Sequence, residues 1–183
     1  MSEKFWLGLL CVGLLGGLAA AQRVDPMVGG AAMYPSRNII ENALHSKDHT
    51  TLVAAVKAAG LVSTLESPGP FTVFAPTDQA FAKLPAGALA NLLKPENKAM
   101  LVKLLTYHVV AARLTTADLR AKISGGGGRA VLTTVEGGKL WVMERRGKFV
   151  LQDETGHRAT ITIANVLQSN GVIQVINAVL MPK

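Results

Sequence analysis

Cysteine is almost absent from this chain of 183 residues: Cys11 stands alone, so no disulfide framework can hold the fold. Glycine occupies 18 positions without a three-residue period, which excludes a collagen-like helix. Aromatic residues make up 5% and do not alternate with the basic ones, whose densest cluster is Arg145, Arg146 and Lys148, so no nucleic-acid partner is expected. Charged residues are 17% against 49% apolar, a balance that excludes intrinsic disorder. The length suits one compact domain, since domains of about 150 residues bury roughly 70% of their unfolded surface. No internal repeat of roughly 20 to 50 residues is present, which excludes a solenoid.

The amino end reads as a targeting segment. Met1 to Lys4 is a short polar start, Phe5 to Leu18 is nearly unbroken apolar sequence, and Ala19, Ala20 and Ala21 supply the small residues of a cleavage site. The apolar stretch is about 14 residues long where a membrane span needs roughly 20. A secretory signal peptide over residues 1–21 is expected, cut after Ala21, and Leu10 argues against lipoprotein processing at Cys11. Export of a mature chain that has neither cysteine nor an Asn-x-Ser/Thr site points to a bacterial periplasm or exterior. Glu3 and Lys4 leave together, so the net charge stays +7 and favours anionic surfaces.

Residues 22–37 hold Pro26, Gly29, Gly30 and Pro35 and read as an arm, lying on the domain or loose, before a domain at 38–183. Ile39, Ile40, Ala43 and Leu44, then Leu52, Val53, Val56 and Ala59, recur at helical spacing, with Gly60 as a stop. Phe71 to Ala75, between two prolines, is a buried strand, and Thr77-Asp78 offers a cap for a short helix carrying Ala80, Phe81 and Leu84. Further helices are expected over 86–93, from Pro95-Glu96 through Leu105, and from Thr115 through Leu119, followed by a flexible loop at Gly125 to Gly128. Beyond it, runs at 131–134, 139–144, 149–152, 159–163 and 172–180 favour strands, and glycine-containing turns separate the first four into an antiparallel meander. Leu140, Val142, Val150, Ile161 and Ile163 are assigned to its packed face. The fold class is α+β, helices first and strands after.

Little in the sequence looks like chemistry. His45 and His49 stand four apart with Asp48 between them, as two zinc ligands on a helix do, but the helical pattern fades there and both are read as solvated. The serines include none in a Gly-x-Ser-x-Gly elbow, and Ser124 to Arg129 matches neither a P-loop nor a dinucleotide-binding turn. No catalytic constellation, metal site or cofactor is expected.

Three segments carry a family resemblance. Thr72-Val73-Phe74-Ala75-Pro76-Thr77-Asp78-Gln79-Ala80-Phe81, the pair Tyr107-His108, and Asn170-Gly171-Val172-Ile173-Gln174-Val175-Ile176-Asn177-Ala178-Val179-Leu180-Met181-Pro182 stand in the order and spacing of the fasciclin (FAS1) domain signatures. The sequence resembles the secreted single-domain bacterial members of that family. The resemblance implies a β-wedge with α-helices and a non-enzymatic role in cell adhesion or matrix association. Phe74, Pro76, Thr77, Asp78, Phe81, Asn170, Gly171, Val175 and Ile176 are expected to serve folding. In animal members the Tyr-His region and an Asp-Ile pair before the last signature are tied to integrin adhesion; the matching positions here are Tyr107-His108 and Asn165-Val166, so the carboxylate that such a receptor's metal would need is missing. Gln174 and Asn177 replace a His and an Asp usual in the family, removing a charged hydrogen-bond pair. His108 itself is expected to be a partly buried ring bonded to backbone. Candidate partners are cell-surface or matrix components, either an anionic polysaccharide or another protein. The rival function is a carrier holding a small apolar ligand between helices and wedge, which needs a cavity of about 300 Å³ or more.

Overall fold

The computed structural model describes residues 25–183; the expected signal peptide and Cys11 lie outside the described residues. Strands β1 (Met27–Val28) and β2 (Ala31–Ala32) form a small hairpin in the arm. It lies on the domain, since Val28 and Met33 are buried among the helices.

Local chemistry sets the helical half. At α1 (Ile39–Ala43), the Asn38 side chain accepts from the Glu41 amide while the Glu41 carboxylate accepts from the Asn38 amide. α2 (Thr50–Ala59) ends at Gly60, and α3 (Val62–Glu66) leads into β3 (Phe71–Pro76). Thr77 caps α4 (Asp78–Phe81) by accepting from the Ala80 amide. After α5 (Ala88–Leu92), a 3-10 turn at Pro95–Asn97 opens α6 (Lys98–Tyr107), and β4 (Val109–Val110) follows it. The Thr115 and Asp118 side chains form a reciprocal cap for α7 (Thr116–Gly125), which runs one residue into the expected glycine loop.

Five strands complete the chain: β5 (Ala130–Thr133), β6 (Lys139–Arg145), β7 (Lys148–Gln152), β8 (Arg158–Gln168) and β9 (Gly171–Ile176). The sheet order is β4-β3-β9-β8-β7-β6-β5. Every pairing is antiparallel except one: β3 runs parallel to β9, Phe71 beside Gly171 through Pro76 beside Ile176. That pair forms a wall between two cores. Val73, Ala75, Ile173 and Val175 face the helices, against Ile39, Val56, Leu104 and Leu105. Phe74 and Ile176 face the meander and α7, against Leu119, Leu140, Val142 and Leu151.

Two expectations need correction. Val150 is not on the packed face of the meander; Phe149 and Leu151 are. The two-residue turn Arg146-Gly147, with φ of 52° and 73°, sets the register, so Val142 lies opposite Leu151 and Glu144 opposite Phe149. The last run also stops being a strand at Ile176. Asn177 turns out of the sheet, its side chain accepting from the Thr160 amide, and Val179 and Leu180 then fill one core each.

Gly171 is dictated by the parallel pairing, because a Cβ there would stand 2.1 Å from the Phe71 carbonyl oxygen. Gly171→Ala should therefore lower unfolding free energy by about 3 kcal/mol, the cost of forcing the two strands apart. Urea denaturation of the mature domain measures it, and an unchanged midpoint contradicts the close approach.

Candidate functional site

Tyr107 and His108 close α6 and point into the protein, at 0% and 3% exposure. The Tyr107 hydroxyl donates to the Lys139 carbonyl at 2.7 Å and accepts from the Glu154 amide at 3.2 Å. It thereby pins two hairpin ends to the helix, and burial pushes the phenol up to about 12. His108 Nδ1 donates to the Leu104 carbonyl at 2.8 Å, while Nε2 accepts from the Leu180 amide at 3.0 Å. These two bonds require the neutral ring, and burial holds it down at about 4. The rings meet edge to face, with centroids 6.4 Å apart. The pair is a rivet between α6, the meander and the carboxyl-terminal segment. Its backbone bonds match the expectation for His108, although burial is complete rather than partial.

Asn165 and Val166 also turn inward. Asn165 sits at φ 57° in an irregular stretch of β8, a conformation asparagine tolerates better than most residues. Its Oδ1 accepts from the Thr116 amide at 2.8 Å and its Nδ2 donates to the Thr116 hydroxyl at 2.7 Å, which fastens β8 to the start of α7. Val166 is fully buried. None of these four side chains offers a free polar group on an open surface. Gln174 donates to the Leu114 carbonyl and accepts from the Asn165 amide, whereas Asn177 bonds Thr160, so the two positions form no mutual pair.

The remaining signature residues hold elements together. Asp78, read from sequence as a cap for its own helix, instead accepts from the Thr50 hydroxyl at 2.6 Å and the Thr51 amide at 2.8 Å, and so caps α2. Partial burial works to raise its pKa, but the Thr50 and Thr51 hydrogen bonds outweigh that and hold the carboxyl below its usual value. Asn170 accepts from the Ile39 amide and donates to the Leu65 and Ser67 carbonyls, joining α1 to the end of α3. Asp153 escaped the sequence reading. It is buried, and its carboxylate accepts from the amides of Thr155, His157 and Met181 and from the Thr155 hydroxyl. The Asp153-Glu154-Thr155-Gly156 run carries an Asx-turn signal for three of those bonds, but nothing in sequence announces Met181.

His49 is not solvated. It is 3% exposed, bonded through Nδ1 to the Ser46 hydroxyl at 2.8 Å, and burial lowers its pKa. His45 lies on the surface, bonded to the Glu41 carbonyl, and the two histidines do not share a helix: His45 follows α1 and His49 precedes α2. Among the described residues, no three His, Cys, Asp or Glu side chains come together as a metal site. A cavity of about 70 Å³ lies between the helices and the wall, lined by Ile40, His49, Leu52, Val56, Val73 and Ile173 among others. That volume falls far below the roughly 300 Å³ a carrier site needs, so the apolar-ligand reading loses its support. A larger cleft of about 560 Å³, around Glu41, Glu66, Arg113 and Asn170, is open to water. No helix of the described residues is long and apolar enough to cross a membrane.

What this geometry defines is an α+β module whose distinctive side chains are spent on joining its own elements. The chain belongs to the fasciclin-domain family, whose profile matches residues 47–182. It is 45% identical to Protein sll1483 of Synechocystis over 157 residues, 85% of this chain and 79% of that one. It is 31% identical to the cell surface glycolipoprotein MPB83 of Mycobacterium bovis over 166 residues, 91% of this chain and 64% of that one. The fold matches about half of a FAS1 domain pair from the insect cell adhesion molecule Fasciclin I, with TM-score 0.70 and 20% identity over 79% of this chain and 51% of that one.

Two outcomes follow from the buried contacts. Above its unfolded value of 6.5 the His108 ring is neutral in both states; below it the unfolded chain takes up a proton that the folded ring resists down to about 4. Stability should thus fall as pH drops through that window, by about 3 kcal/mol in all, and His49 acts in the same direction. His108→Gln keeps a donor and an acceptor without titrating, so its unfolding free energy should lose less on acidification; an unchanged pH slope contradicts the assignment. Asp78→Ala should cost about 1 to 2 kcal/mol in urea denaturation, the loss of the α2 cap.

Proposed function

We propose that this fasciclin-domain chain is a secreted, non-catalytic module that associates with cell-surface or extracellular-matrix components after signal cleavage near Ala21. The observation that carries this reading is the inward use of its polar signature residues. Tyr107, His108, Asn165, Gln174 and Asp153 all bond backbone or one another, so these polar groups are engaged within the fold. Relatives that carry the words cell surface and cell adhesion in their names support the same reading. The net charge of +7 adds attraction to anionic envelopes. On this reading Tyr107, His108, Asn165 and Val166 affect a partner through the shape they maintain, and integrin recognition through a carboxylate at Asn165 is absent.

Retention of the mature domain on an envelope fraction from a Gram-negative bacterium tests the proposal. Binding should exceed that of an unrelated basic protein of equal charge and should weaken as the Debye length shrinks below about 8 Å. Equal retention of the two proteins refutes the specific association.

A further inference from the structure

We propose that the outward face of β5 to β8 is a docking surface for an acidic polysaccharide; the assignment rests on the cell-surface reading above and names where and what it binds. Leu140, Val142, Leu151 and Ala159 go to the core, and their neighbours stand on the opposite face, where Met143 is itself buried beneath Arg145. On that outward face the pairing register sets Val131, Trp141, Gln152 and Arg158 in one row across the four strands, and Met143, Val150 and Thr160 in the next.

Around these rows stand Arg129, Lys139, Arg145, Lys148 and Arg158, all exposed. The ion pairs found among the described residues are Lys103 with Glu136, Arg120 with Glu144, and His157 with Asp153; none uses any of the five. Glu144 is turned away from them, because it shares a face with Phe149 and is held by Arg120 on α7. Glu154 touches only the end of the patch, where its carboxylate accepts from the Lys139 amide. The result is a cationic surface about 20 Å long on β6, at about 3.4 Å per residue, and about 14 Å wide at about 4.8 Å per strand.

What lies between the cations selects the class of polyanion. Trp141 is half-buried with the Arg129 guanidinium 5.5 Å from its ring centre, and Arg145 covers Met143, its Nε donating to the sulfur. One ring already covered by a guanidinium makes a poor ladder for stacked bases, which need successive aromatics. Gln152 and Thr160 add neutral hydrogen-bonding groups on the same face, and Thr162 stands beyond them on β8 with its hydroxyl donating to the Val175 carbonyl. A sugar chain supplies partners for these groups: hydroxyls for the amide and threonines, and carboxylate or sulfate for the cations.

Binding is measured for the mature domain against dextran sulfate and polygalacturonate, with neutral dextran as the blank. The triple variant R145S, K148S, R158S removes three cations from the face; K57S, K94S, K98S removes three from the exposed helical side. Both must melt like the parent; should the first triple melt early, K148Q and R158Q singly replace it and should each weaken binding. The sheet triple should bind about tenfold more weakly with a shallower salt dependence, while the helical triple stays near the parent. Equal losses in the two triples, or no loss in the first, overturn the assignment. Tighter binding of poly(dT) or of phosphatidylglycerol vesicles than of either polysaccharide overturns the class of partner. A parent retained by envelopes but blind to both polysaccharides sinks this inference and leaves the adhesion reading standing; a parent that envelopes do not retain sinks the adhesion reading itself.

Discussion

Everything in this fold hangs on the parallel contact between β3 and β9. Those strands are separated by most of the chain, and parallel neighbours cannot be joined by a hairpin, so the intervening sequence has to cross over and return. The two strands then serve both cores at once. Val73 and Ala75 alternate with Phe74 along β3, as Ile173 and Val175 alternate with Ile176 along β9, so each strand contributes to the helical core on one face and to the meander core on the other. Close approach makes this possible where the strands begin: Gly171 passes the Phe71 carbonyl, and Gly69 passes the Asn170 carbonyl, with no room for a side chain at either point. Apolar burial drives the assembly, but the two-sided wall decides which burial is reachable.

A wall buried on both faces leaves its ends in need of fastening, and the polar signature residues do that. Tyr107 and His108 tie the end of α6 to the meander and to the last segment; Asn165 and Gln174 tie β8 and β9 to the start of α7; Asn170 ties the start of β9 to α1 and α3. Asp153 fastens the carboxyl-terminal segment through Met181. A buried polar group left half satisfied costs more than an apolar one in its place, so such contacts help only when complete. Asn42 and Gln168 follow the same rule, bonded to each other and to nearby carbonyls. Among the described residues His49 Nε2 is the one buried side-chain polar atom without a partner, and it lies beside the small apolar cavity.

The helices, strands and caps of this protein were legible because each has a local cause. Thr115 with Asp118, Gly60 after Ala59, and Arg146-Gly147 between two β-rich runs each state their role within a few residues. The α+β class and the fasciclin family followed from runs whose order and spacing are visible in one dimension. What stayed hidden depends on distant partners. Asp78 looks like a cap for α4, and only the approach of α2 shows that it serves Thr50 and Thr51. The parallel sense of β3 and β9 cannot be read from two apolar runs, since neither carries a mark of direction. His49 reads as solvated because the helical pattern fades around it, yet the ring is buried. In β7 the apolar Val150 stands between apolar neighbours, so composition leaves the alternation open, and a slip of one residue exchanges the two faces of a strand.

The separation of roles has a consequence for recognition. Residues that fix the fold lie inside, so substitutions on the meander's outer face meet few of the constraints that hold Phe74, Tyr107 or Ile176 in place. Arg145 and Lys148 flank a hairpin turn and Arg158 opens β8, all on the exposed side of strands whose inner side is packed by Val142, Leu151 and Ala159. A family that shares this interior can therefore present very different outer faces, and similarity of the core signatures carries little information about the partner. For this chain the informative residues are the exposed cations that join none of the ion pairs among the described residues, because their placement on one face leaves charges of the same sign close together. Like charges set side by side are mildly destabilising for a sheet, and an anion lying across them would relieve that repulsion.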